Sequence, residues 1–128
     1  MKTKYKIAVA LVAGTAIGGA AIQSIHAQMK PPTYVVVAIR SIKDADAFKT
    51  GVMAKASAAA MASGGQFVIR TDKISSLDGT PPVRFVLLQF DSVEKAQAWN
   101  KSAAQKEINA VRMKTTDSLS FIVEGIAK

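Results

Sequence analysis

The chain has 128 residues, with 17 Lys or Arg, nine Asp or Glu, one His and no Cys, and a formal net charge of +8. Without cysteine there is no disulfide, no thiolate metal or iron–sulfur site and no Cys-His dyad. The length suits one domain plus a short extra segment, and the basic residues are scattered, without the stripe or aromatic interleaving that nucleic-acid binding requires, so no nucleic-acid partner is expected.

Lys2, Lys4 and Lys6 precede an uncharged run from Ile7 to Ile22, and Ile25-His26-Ala27 offers a cleavage site ending in a small residue. Residues 1–27 therefore read as a secretory signal peptide, removed on export, which predicts a periplasmic or secreted protein. The competing reading is an uncleaved anchor, the one case in which the membrane is a partner. A spanning helix wants about 20 mostly apolar residues, and Gly14, Gly18 and Gly19 dilute this run. Cleavage also removes His26, the only histidine. The remaining chain then has neither imidazole nor thiol, which excludes Ser-His-Asp triads, zinc sites built on Cys or His, and His-ligated haem. No cofactor or metal is expected, and carboxylate or phenol chemistry remains open.

Gln28 to Pro32 is a short linker that Pro31-Pro32 holds extended. Thr33 to Arg40 alternates as a strand, with Val35, Val37 and Ile39 on one face and Tyr34, Val36, Ala38 and Arg40 on the other. A helix is predicted from Asp44 to Ser63, capped by Asp44 or Asp46, with Phe48, Val52, Ala56 and Ala59 near helical spacing. Gly64-Gly65 ends it. A second strand, Gln66 to Thr71, leads into a loop marked by Asp78-Gly79 and Pro81-Pro82. The third strand is Val83 to Phe90. Asp91 and Ser92 stop it and cap the next helix, with Glu94 in capping-box register to Asp91. A further helical piece spans Ala103 to Lys114, and Leu119 to Glu124 is the last strand.

The order β-α-β-β-α-β is the ferredoxin-like arrangement. It predicts an α+β domain over residues 33–126, with one antiparallel four-stranded sheet and the helices on one face. The third strand carries Val83, Phe85, Leu87 and Gln89 on one side and Arg84, Val86, Leu88 and Phe90 on the other. Neither side is polar enough to be left in water. The open face is accordingly expected to be covered by a second copy, giving a homodimer.

The succession Tyr34-Val35-Val36, Gly64 to Arg70, Leu77-Asp78-Gly79, Phe90 to Trp99, Ser102, Arg112 and Val123-Glu124-Gly125 resembles domain-of-unknown-function family 1330 over about Thr33 to Gly125. That resemblance implies the dimeric α+β barrel superfamily, whose members pair open sheet faces to enclose a pocket. The chain departs from the family's usual pattern at three places. Gln89 stands where relatives usually have Glu, Asn100 where they have Tyr, and Ser102-Ala103-Ala104-Gln105 where they have Ser-Pro-Glu-Tyr. An amide does not titrate, so Gln89 cannot act as an acid or base, although it can still hydrogen-bond a ligand.

Three ligand-binding residues follow. Arg70 matches the family's arginine position and, on the open side of the sheet, would hold an anion by a forked hydrogen bond. The plainer reading is a strand-end arginine in solvent or paired with Asp72 or Glu124. Gln89 and Arg112 complete the set, Arg112 sharing a helix face with Ile108 or simply laying its stem on apolar surface. For catalysis the candidates are Glu124, which ends the last strand, and Tyr34. Trp99-Asn100 is a pair that some cofactor-independent monooxygenases of the superfamily use near a substrate, but Trp99 falls at helical spacing with Ala96 and Ala103, which is core patterning. Three functions are expected in descending order: binding of a small polar or anionic molecule in a pocket between sheet and helices, a cofactor-independent isomerase or monooxygenase-like enzyme, and an envelope interaction protein without a ligand.

Overall fold

The computed structural model describes residues 30–127, and the signal peptide expected over residues 1–27 lies outside them. Within Pro32–Gly125, a single compact unit, four strands form one antiparallel sheet: β1 (Thr33–Ile42), β2 (Gln66–Thr71), β3 (Arg84–Phe90) and β4 (Thr116–Glu124), in the spatial order β2-β3-β1-β4. A helical stretch joins β1 to β2. It is built of α1 (Ala45–Phe48), a π-helical turn (Lys49–Met53) and α2 (Ala54–Ala62). Two more helices, α3 (Val93–Lys101) and α4 (Ala103–Thr115), join β3 to β4. This is the ferredoxin-like α+β fold that the element order predicted. Among the described residues no helix is long and apolar enough to cross a membrane.

Helix starts follow from local chemistry. The Asp44 carboxylate accepts from Ala47 N at 3.1 Å and caps α1. At α3 the cap is Ser92, whose hydroxyl accepts from Lys95 N at 3.1 Å. The capping box expected on Asp91 is corrected: that carboxylate instead meets Lys95 Nζ at 3.5 Å, one turn away on the exposed surface. Ser102 then caps α4 by accepting from Gln105 N, while its own hydroxyl donates to Trp99 O and closes α3. One serine thus ends one helix and starts the next. Gly64 sits at φ 82° where α2 ends, a conformation that L side chains rarely adopt.

The register fixes which side chains meet. Val35 is opposite Leu88 and Ile122, and Val37 opposite Val86 and Ser120. Ile39 is opposite Arg84 and Ser118. These residues face the helices. One core cluster packs Val35, Leu88 and Phe90 against Ala60, Ala96 and Trp99, with the Phe90 and Trp99 rings 5.4 Å apart. A second packs Ile39 against Phe48, Val52, Ala59 and Ile108. Gly51, in the π-helical turn, lets the first helical stretch approach α4: a Cβ there would come within 2.7 Å of Val111. The other sheet face carries Leu119, Phe121 and Val123, all exposed, beside Phe85, Leu87 and Gln89.

Candidate functional site

Between the helix-facing side of the sheet and the helices lies a cavity of about 440 Å³. Its floor is Val37, Ile39, Val86 and Leu88, and its roof includes Phe48, Val52 and Ile108, so it draws on both core clusters. Valine, isoleucine, leucine and phenylalanine dominate because the strand and helix faces that meet here are the core-forming ones. Val52 and Met53 reach it from the π-helical turn, an irregularity often found beside functional sites.

The polar part of the lining includes Ser57, Arg70, Arg84 and Ser120, and its hydrogen-bonded portion comes from α3 and α4. Gln105 Nε2 donates to Asn109 Oδ1 at 2.9 Å, and Asn109 Nδ2 donates to Asn100 Oδ1 at 2.9 Å. The Arg112 guanidinium joins this chain by donating to Asn109 Oδ1 at 3.5 Å and to Ser118 Oγ at 2.7 Å. Both acceptors are neutral. All nine acidic residues of the chain fall among the described ones. Only Asp117, with Arg40, and Asp91, with Lys95, make ion pairs there. Arg112 therefore carries its charge half-buried and without a counter-charge among the described residues. Burial pulls its proton affinity down from the ordinary arginine value, yet a guanidinium stays protonated at neutral pH.

Two polar atoms at this wall have no hydrogen-bond partner among the described residues: Trp99 Nε1 and Gln105 Oε1. Their residues are 6% and 5% exposed. A buried polar group left unpaired costs about 1–3 kcal/mol, so such atoms in a folded protein call for an explanation.

Arg70 lines the same cavity, its Cζ lying 4.3 Å from the centroid of the Phe67 ring. The expectation that Arg70 faces the open side of the sheet is thus corrected. A bulge at Val68 shifts the β2–β3 register, so Phe67 is opposite Leu88 and Arg70 opposite Val86, both on the helix-facing side. No pairing of Arg70 with Asp72 or Glu124 forms. The structure brings Arg70 and Arg112 to one cavity and separates Gln89 from them. Gln89 is opposite Tyr34, and both belong to the open face. Glu124, opposite Thr33 at the end of β4, is exposed, and neither it nor Tyr34 lines the cavity. Trp99 is buried, as its spacing with Ala96 implied, and lines the cavity as well, with Asn100 beside it.

Sequence reasoning missed Arg84, which also lines the cavity. The strand alternation already put it on one face with Val86 and Leu88, which gives its side of the sheet but not the cavity there. The Gln105-Asn109-Arg112 ladder on α4 was equally readable at helical spacing, since residues three and four apart share a helix face. No group of three or more His, Cys, Asp or Glu that could hold a metal occurs among the described residues.

The fold recurs in solved structures at low sequence identity. A protein of unknown function from Rhodopseudomonas palustris is similar at a TM-score of 0.63 and 13% identity, over 84% of this chain and 93% of that one. A candidate antibiotic biosynthesis monooxygenase from Nitrosomonas europaea matches at a TM-score of 0.50 and 18% identity, over 73% and 97%. A dimeric ferredoxin-like protein of unknown function from Thermobifida fusca matches at 0.52 and 13%, over 73% and 91%. No curated protein matches the chain. At the level of sequence, the domain of unknown function DUF1330 matches residues 32–126, nearly the whole of the described domain, and the chain belongs to that family.

Proposed function

We propose that the protein is exported, forms a homodimer through its open sheet face, and binds a small organic anion in the cavity between sheet and helices. The observation that carries the binding reading is Arg112: a half-buried guanidinium, held by neutral acceptors only, at the wall of an apolar cavity. An uncompensated buried charge is costly, and an anionic ligand supplies the missing partner through charge-assisted hydrogen bonds. Arg70 supports the same reading from the opposite wall. The dimer rests on the exposed row Leu119, Phe121 and Val123, an apolar patch of the kind that marks an interface, and on the dimeric state of the Thermobifida fusca protein of the same fold.

A second reading, cofactor-independent catalysis, is favoured by Trp99 and Asn100 at the cavity and by the candidate monooxygenase that shares the fold. It ranks lower because no carboxylate or phenol lines the cavity to serve as a general base. Native mass spectrometry of the exported protein tests the proposal. The expected species is a dimer with a mature N-terminus near Gln28, retaining an anion that denaturation releases. A ligand-free monomer from cells and no binding of any added organic acid would overturn it.

A further inference from the structure

Arg70, Arg84 and Arg112 all line the cavity, and no acidic side chain does. The register divides the three into two poles. Arg70 is opposite Val86, two residues along β3 from Arg84 on the same face, so these two arginines are diagonal neighbours at the β2–β3 side. Arg84 is opposite Ile39, Ile39 is opposite Ser118, and Ser118 Oγ holds Arg112 at 2.7 Å. Arg112 therefore stands over β4, two strand spacings from Arg84, about 10 Å across the sheet. The apolar floor of Val37, Ile39 and Val86 lies between the poles.

We propose that the ligand is a dianion with an apolar middle, one anionic end held by Arg70 and Arg84 and the other by Arg112. This rests on the anion-binding reading above and adds the number and spacing of charges. A single anion would leave one pole uncompensated. Two cations facing one lining that holds no acid are stabilised more by a ligand that reaches both than by one that reaches a single pole. The sheet is apolar between them, so the connecting segment is hydrocarbon, aliphatic or aromatic, without polar groups of its own. The unpaired Trp99 Nε1 belongs to the same lining and is a donor, the kind of partner a carboxylate requires.

The chain's single tryptophan, Trp99, lines this cavity and reports on it by fluorescence. The test titrates the full chain with adipate, suberate and azelate, and with octanoate and octanediol as matched probes carrying one charge and none. The expected result is that the best dicarboxylate binds about tenfold more tightly than octanoate, the factor of one further charge-assisted hydrogen bond, and octanediol weakest. Arg84→Gln and Arg112→Gln each bring the dicarboxylate down to the level of octanoate, with circular dichroism checking that both variants fold. Equal affinity for octanoate and every dicarboxylate in the unmodified protein overturns the dianion while leaving anion binding standing. No response to any of the acids overturns both.

Discussion

The guanidinium of Arg70 lies over the ring of Phe67, 4.3 Å from its centroid, although residues three apart in a regular strand point to opposite faces. The bulge at Val68 is what makes them neighbours: Phe67 faces Leu88, Ile69 faces Leu87 and Arg70 faces Val86, with Val68 left over. Deleting Val68 turns β2 into a regular strand and leaves both residues on the cavity side. The deletion variant is expected to fold, to lose no more than about 1 kcal/mol of stability, and to keep its fluorescence response to organic anions. Loss of that response with retained fold would show that the bulge does more than set the face.

Arg112 is a charge kept at some cost. Its two acceptors each have another partner, since Asn109 Oδ1 also accepts from Gln105 and Ser118 Oγ lies 3.0 Å from Thr116 Oγ1. Arg112→Met therefore strands no buried polar atom and removes a desolvated cation. Urea denaturation should show stability unchanged or raised by up to about 1 kcal/mol, together with weakened anion binding. A destabilisation well beyond that size would mean that Arg112 is a structural residue.

The layout of the domain was legible because its signals are local. Alternation in β1 and β3, Gly64 after an alanine-rich helix, and polar caps before apolar runs each fix an element without reference to anything distant. The candidate site was legible only in part, because it depends on which face a strand residue takes. A one-residue bulge reverses that assignment, and nothing in Gln66 to Thr71 announces it. Arg70 and Gln89 looked like partners on paper and stand on opposite sides of the sheet. Arg84 was passed over because the sheet side it occupies was read as packing, while the cavity within that packing exists only once the helices are in place.

The open face gives a prediction about assembly. Phe121 is 47% exposed at the middle of β4, between Leu119 and Val123. Phe121→Arg places a charge in the proposed interface and should convert the proposed dimer to a monomer in sedimentation, with the far-ultraviolet spectrum unchanged. A variant that remains dimeric at micromolar concentration would put the interface elsewhere.

Acid stability is set in part by the Arg40–Asp117 pair. Arg40 donates to the two Asp117 carboxylate oxygens at 3.0 and 3.3 Å, and that hydrogen bonding holds the carboxyl below its usual range. A carboxyl whose folded-state pKa is depressed contributes stability above its unfolded pKa, about 3.9, and loses it as pH falls through the lower folded value. The pair is exposed, so the effect is small. Asp117→Asn should flatten the fall in melting temperature below about pH 4 and leave the profile between neutral and mildly alkaline pH unchanged. An equally steep acid limb in the variant would assign the slope to other carboxylates.

Calorimetric titration of the protein and its Arg112→Gln variant with octanoate, at low and high salt, tests anion capture by the unpaired guanidinium most directly. The account predicts binding to the unmodified protein, weakened about tenfold or more in the variant and reduced by salt. Equal affinity in the two proteins would contradict it.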